Sequence, residues 1–207
     1  MDTLREIGDR IDRRAAPIRR ALASEIRFVA NWFKNPLRTG AVAASSKALA
    51  QRMAACVDPA VPGPVLELGP GTGMFTEALI RRGFAQNRLV LVEFNPEFAR
   101  HLKRRFPRAT IITADVYDRR QWAGRHGDER FAGIVSGLPL LTQPPARRQA
   151  LLEACFDLAR PGAPFVQFTY SAKPPVKPFD AVTAEAGPIT YLNLPPARIF
   201  VYRRSAN

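Results

Sequence analysis

The residues of this chain best placed to do chemistry are three acids and three glycines. Glu67 stands two positions before Gly69, and Gly69, Gly71 and Gly73 alternate with Pro70 and Thr72, so the stretch reads E-x-G-x-G-x-G. Glu93 follows twenty residues after Gly73, and Asp115 lies further on, after the next apolar run. A dinucleotide-binding loop spaces its glycines G-x-G-x-x-G and presents backbone N–H groups to a pyrophosphate. The spacing here is different, and a carboxylate beside the loop would repel phosphate. Glu67 instead suits a ligand that carries an amine or another cationic group. Glu93 is placed to accept hydrogen bonds from the two hydroxyls of a ribose. Capping alone could explain one acid: Asp115 precedes an expected helix, and Asn95 can cap the helix after Glu93. Three acids at the ends of three consecutive strands are more than capping requires.

The elements that must position these groups are legible as alternating apolar strands and amphipathic helices. Strands are expected at Val65–Leu68, Leu89–Glu93, Thr110–Thr113, Ala132–Ser136 and Phe165–Thr169, with helices at 73–82, 95–105, 117–123 and 145–159. The runs Ile189–Leu194 and Ile199–Arg203 have no helix between them and read as an antiparallel pair. Strand–helix alternation means a parallel sheet with right-handed crossovers and helices on both faces. The 207 residues, 46% hydrophobic and 24% charged, are those of a folded α/β domain with a short extension, which excludes wholesale disorder. No apolar run reaches the ~18 residues of a spanning helix, and the N-terminus lacks the apolar core of a signal peptide. Cys56 and Cys155 have neither CxxC nor His spacing and are expected as reduced, buried thiols; no metal site is expected. His101 and His126 fall in polar contexts and are expected at the surface.

The E-x-G-x-G-x-G stretch resembles motif I of the class I S-adenosylmethionine-dependent methyltransferases. Their cofactor has an α-amino group, a sulfonium charge and no phosphate. The turn Leu158-Ala-Arg-Pro161-Gly162 before the fifth strand also resembles one common in that superfamily. The resemblance implies a Rossmann-like fold with a mostly parallel seven-stranded sheet and an antiparallel last strand. It implies that Glu67, Gly69, Gly71, Gly73, Glu93, Phe94, Asp115, Val116, Ser136, Thr39 and Gly40 hold S-adenosylmethionine, with Asp115 near the adenine amine. Two candidate acceptors follow from this resemblance. Bacterial rRNA adenine dimethyltransferases end the fourth strand in Asn-x-Pro-aromatic, which binds and stacks the base. This chain has Gly137-Leu138-Pro139-Leu140 there, and so lacks both the amide and the stacking ring. The stretches Trp32–Ser46, Leu66–Gly73, Val92–Pro96, Gly133–Pro139 and Gln167–Tyr170 resemble instead the bacterial phospholipid N-methyltransferases of the small, peripheral type. Ala44 departs from them, since proline is common there. This resemblance implies stepwise methylation of phosphatidylethanolamine, through its mono- and dimethyl forms, to phosphatidylcholine. Methylated amines suit aromatic walls, which makes Tyr170, then Tyr117 and Tyr191, the candidates around the acceptor.

The N-terminus supplies what such an enzyme needs in order to reach lipid. Leu4, Ile7, Ile11, Ala15, Ile18, Leu22, Ile26, Val29 and Phe33 recur at helical steps, with a kink expected at Pro17. The chain carries a net charge of +13, and residues 13–40 alone carry +6. Arg13, Arg14, Arg19, Arg20 and Arg27, beside Ile18, Leu22, Ile26, Val29, Trp32 and Phe33, form a basic amphipathic face suited to an anionic membrane. The expected organisation is a membrane-binding or lid helix over 1–35, a lid loop and helix over 36–62, and a methyltransferase core over 63–207. The helix in the second part is expected over 47–57, capped by Ser45 or Ser46. The protein is expected as a monomer in the cytoplasm, on the inner face of the cytoplasmic membrane, with no nucleic-acid partner.

Overall fold

The computed structural model describes residues 40–125, 127–190 and 196–205. Thr39, Tyr191, His126 and the expected membrane-binding residues Arg13–Phe33 lie outside the described residues. Within them, the five apolar runs form strands as the sequence predicts: β1 (Val65–Leu68), β2 (Leu89–Glu93), β3 (Thr110–Thr113), β4 (Gly133–Ser136) and β5 (Phe165–Thr169). β6 (Val182–Thr190) and β7 (Ala197–Arg204) complete a sheet in the order β3-β2-β1-β4-β5-β7-β6. β1 to β5 run parallel, and β7 is antiparallel to both β5 and β6. The order reverses at β1, which lies between β2 and β4. The crevice beyond the carboxyl ends of β1 and β4 is therefore the switch point at which such sheets bind ligands.

Because β1, β2 and β4 are buried on both faces, their side chains divide by parity between two cores. Leu66, Leu68, Val90, Val92, Ile134 and Phe165 pack with Leu152, Cys155 and Phe156 of the helix at Pro145–Leu158 (α4). On the other face, Val65, Leu89, Leu91, Val135 and Val166 meet Leu49 and Met53 of α1 (Gly40–Ala55) and Phe75 and Leu79 of α2 (Met74–Arg82). Leu102 of α3 (Pro96–Arg105) joins them.

Three expectations about elements are corrected. α1 begins at Gly40, not near residue 47, and runs through Ser45 and Ser46. Alanine is the strongest helix former, and Ala41, Ala43 and Ala44 extend the helix where a proline at 44 would break it. The helix expected over 117–123 is only a 3-10 turn, Arg119–Gln121, because the Asp118 side chain accepts from Arg120 N and closes the chain locally. The strand expected at Ile189–Leu194 starts seven residues earlier, at Val182. Gly187-Pro188, which reads as a breaker, sits in a register shift between Ala186 and Ile189, where an edge strand tolerates proline.

Candidate active site

β1 delivers Glu67 into the protein interior beneath the glycine loop. Glu67 is 0% exposed. Thr76 Oγ1, in the first turn of α2, donates to Glu67 Oε2 at 2.7 Å, and Oε1 has no partner. Burial pushes the Glu67 carboxyl up to about 8, against the pull of the Thr76 hydrogen bonds, and the nearby Glu93 adds to the rise. A buried carboxylate oxygen without a partner is costly. A ligand ammonium or N–H donor would remove that cost.

The loop after β1 turns through left-handed backbone. Gly69, Gly71 and Gly73 all have positive φ (66°, 56° and 88°), a region that side chains disfavour. Gly69 N donates to Val92 O at 2.9 Å. Gly71 N donates to Glu93 Oε2 at 3.0 Å, and Asn95 N donates to Glu93 Oε1 at 2.8 Å. Glu93 thus fastens the loop of β1 to the start of α3. Each of its oxygens keeps a second acceptor direction, which suits a pair of hydroxyls. Asn95 caps α3 as expected, accepting from Glu97 N at 2.8 Å.

A cleft of about 670 Å³ opens over the ends of β1, β2, β3 and β4. Gly69, Glu93, Phe94, Asp115, Val116, Tyr117, Gly137, Leu138, Pro139, Gln143 and Arg147 line it. Phe94 is 74% exposed at its rim, alone among the large apolar side chains of the described residues. Asp115 Oδ1 accepts from Tyr117 N at 3.0 Å, and Oδ2 faces Arg147 Nη2 at 3.5 Å. The Arg147 guanidinium lies over the Tyr117 ring, 4.5 Å from its centroid. Burial pushes the Tyr117 phenol up to about 12 although Arg147 opposes the rise, so at neutral pH it is a donor.

The wall opposite Gly69 is shaped by close approach. A Cβ on Gly137 would lie 2.7 Å from Gly69 O and 3.2 Å from the Phe75 ring. No side chain fits there, so the amide that a base-binding motif would place at this position has no room. Ser136 is buried below, its Oγ accepting from Leu138 N at 3.4 Å. Tyr170, just past β5, packs edge-on against Phe168 at 5.8 Å. Gly40 opens α1. Among the described residues, no group of three or more His, Cys, Asp or Glu could hold a metal. His101 is exposed and lines a separate cavity of about 450 Å³ between α1, α2 and α3. Cys155 is buried and Cys56 half-buried, both as free thiols.

Sequence reasoning missed two residues of the site. Thr76, which fixes Glu67, is a polar side chain at a fully buried position of α2. Arg147 lines the cleft beside Tyr117 and Asp115 and offered no signal, since tertiary packing brings it there.

The residues fit the cofactor that the sequence suggests. They offer an unpartnered buried carboxylate oxygen for an amine, a second carboxylate with free acceptor directions for hydroxyls, and an apolar rim at Phe94 and Val116. Comparison with known proteins agrees. A methyltransferase domain model matches residues 65–162. The chain is 30% identical over 145 residues to an ornithine lipid N-methyltransferase of Singulisphaera acidiphila, covering 69% of this chain and 76% of that protein. Among solved structures, the CurJ carbon methyltransferase shares the fold at TM-score 0.60 and 11% identity, over 86% of this chain and 58% of that one. The 23S rRNA methyltransferase ErmE does so at TM-score 0.53 and 20% identity, over 77% and 68%. With its doubly wound sheet, its acid-and-glycine loop and a relative 30% identical over more than two thirds of each chain, the chain belongs to the class I S-adenosylmethionine-dependent methyltransferases.

Proposed function

We propose that the chain methylates the headgroup amine of a membrane aminolipid, with phosphatidylethanolamine and its mono- and dimethyl derivatives as acceptors. The observation that carries this reading is the 30% identity to an ornithine lipid N-methyltransferase across 69% of the chain. The lack of space for an amide at Gly137 supports it, since a flipped base needs such a group. S-adenosylmethionine supplies an electrophilic methyl on a sulfonium, so the protein's work is binding, alignment and exclusion of water. In this reading Glu67 takes the cofactor ammonium, Glu93 the ribose hydroxyls, and Asp115 with Val116 the adenine edge. The lipid ammonium loses a proton before transfer, because the nitrogen lone pair is the nucleophile. Tyr117, a donor at neutral pH, does not take that proton; it walls the acceptor space. Residues 1–35 bind the membrane, and the segment 36–62 closes over the cofactor.

No helix among the described residues is long and apolar enough to cross a membrane; in this reading the enzyme meets its lipid at the interface. The test is incubation with labelled S-adenosylmethionine and three separate acceptors: phosphatidylethanolamine vesicles, ornithine lipid vesicles and rRNA. Label in phosphatidylethanolamine is the expected result. Label in ornithine lipid alone would replace the named lipid while keeping the class, and label in RNA alone would overturn the reading.

A further inference from the structure

The carboxyl end of β5 holds two buried polar atoms that the cofactor site does not use. Gln167 is 1% exposed. Its Nε2 donates to Leu138 O at 3.0 Å and to Phe168 O at 2.7 Å. Both partners are carbonyls, so the carboxamide cannot rotate by half a turn without setting oxygen against oxygen. Oε1 is therefore fixed in orientation, and it is buried without a partner. Leu138, whose carbonyl the amide holds, lines the cofactor cleft. The second atom is Arg198 Nε, also buried without a partner. Arg198 Nη1 donates to Ala172 O at 3.4 Å, which keeps the guanidinium at this edge of the sheet.

The register brings the two side chains together. Thr169 pairs with Arg198 and Gln167 with Phe200 across β5 and β7. Directly opposed residues share a face, so Gln167 and Arg198 project from the same face as diagonal neighbours. Ser136 is opposite Gln167 on β4 and shares that face. The pair thus combines a fixed acceptor with a cationic donor, one diagonal step apart, beside the loop that walls the cleft. A neutral carboxamide oxygen takes an amine N–H. A guanidinium with an unused N–H takes a phosphate or carboxylate oxygen.

We propose that Gln167 and Arg198 form the acceptor subsite and read a zwitterionic headgroup, the amide oxygen taking the amine N–H and the guanidinium the headgroup's anionic group. The proposal rests on the aminolipid reading above and narrows it to amines that carry a nearby phosphate or carboxylate. Gln167 has a graded role: a neutral primary amine offers it two N–H groups, a monomethyl amine one, and a dimethyl amine none.

The experiment measures binding, with no turnover, by calorimetry on the full chain saturated with S-adenosylhomocysteine. The probes are three short-chain soluble lipids: an ethanolamine phosphodiester, an ornithine lipid with its free carboxylate, and an alkyl amine with no anionic group; the N,N-dimethyl form of the ethanolamine phosphodiester serves as the comparison for Gln167. The wild type should bind the first two more tightly than the third. Arg198→Met should lose at least about tenfold for the anionic lipids relative to the plain amine. Gln167→Met should weaken a primary amine several-fold more than its dimethyl form. Retained affinity for S-adenosylhomocysteine shows that both variants are folded. An Arg198→Met profile parallel to wild type overturns the anion assignment, and an equal Gln167→Met loss for primary and dimethyl amines overturns the amine assignment. Tight zwitterion binding with no methyl transfer to any lipid would remove the aminolipid reading and leave the subsite. Transfer to lipid with an unchanged Arg198→Met profile would do the reverse. A wild type that binds none of the three probes removes the subsite, and the destination of the label alone then decides the aminolipid reading. Between the two anionic lipids, the tighter one identifies phosphate or carboxylate as the group read.

Discussion

Glu67 is the residue on which the site's chemistry and the protein's stability meet. Its carboxyl is pushed up to about 8 from an ordinary value of 4.5, chiefly by burial. Between those two pH values the folded protein holds a proton that the unfolded chain releases, so stability falls as pH rises through that window. Glu67→Gln removes the titrating group. Urea unfolding from pH 5 to 9 should show a declining stability in the wild type and a flatter profile in the variant. Cofactor affinity should have the opposite slope. An ammonium pairs with the ionised carboxylate, so affinity for S-adenosylhomocysteine should climb from pH 6 to about 8 and then level. Glu67→Gln should bind weakly throughout, and a wild-type affinity independent of pH would remove Glu67 from the ammonium site. Gly137 makes a simpler prediction. A Cβ there lies 2.7 Å from Gly69 O, so Gly137→Ala must push the two loops apart, at a cost of about 1–3 kcal/mol by overpacking. Cofactor affinity should fall with it, because Gly69 moves. Calorimetric unfolding with and without S-adenosylhomocysteine measures both effects.

The elements show why some of this was legible in sequence and some was not. β1, β2, β4 and β5 were readable because strands buried on both faces are short continuous apolar runs, and Glu67 and Glu93 stood out as the acids that end or interrupt them. The start of α1 is hidden in sequence because Ser45 and Ser46 look like caps, whereas an alanine-rich helix simply runs through them. The start of the edge strand β6 is hidden because its Gly187-Pro188 is accommodated by a register shift that only pairing with β7 reveals. Gln167 and Arg198 could not be paired from sequence: they are 31 positions apart, and only the antiparallel return of β7 makes them neighbours. The connection into β1 offers a test at this scale. Arg88 donates to Pro59 O at 2.8 Å and Gly63 O at 2.9 Å, and also to Val61 O, so one guanidinium gathers the turn that launches β1. It also lies over the Phe84 ring at 5.1 Å. Arg88→Met keeps the stem and strands three carbonyls. Stability should drop by about 2–3 kcal/mol, given the usual cost of losing charged hydrogen bonds. Arg88→Lys should recover only part of this, since an ammonium cannot match the spread of the fork. A urea midpoint unchanged in Arg88→Met would show that the turn is held by its own backbone.

At the scale of the whole molecule, the question is what a net charge of +13 does in a protein whose cofactor site is built from acids. Two accounts differ in where the charge must sit. If membrane contact is a matter of total charge, it should draw on the exposed residues Arg100, Lys103, Arg104, Arg105 and Arg108 around α3 as much as on any others. If it depends on a basic face backed by an apolar stripe, it should draw on the first 33 residues. Removing residues 1–24 separates the two, because that segment holds six basic and four acidic residues and its loss leaves a net charge of +11. The charge is nearly intact, while Ile18 and Leu22 and the arginines beside them are gone. The expected outcome is that the truncated protein no longer sediments with anionic liposomes, although it binds S-adenosylhomocysteine as the full chain does. Each basic residue near an anionic surface contributes about 1 kcal/mol and each buried methylene about 0.8 kcal/mol. If the apolar stripe carries the contact, losing it should remove binding that charge alone does not replace at physiological salt. In the full chain, raising the salt from 0.1 to 0.5 M should weaken liposome binding without abolishing it, because screening acts on the charges and leaves the apolar contact. Retained sedimentation of the truncated protein, lost entirely at 0.5 M salt, would assign membrane contact to the methyltransferase core and its α3 surface instead.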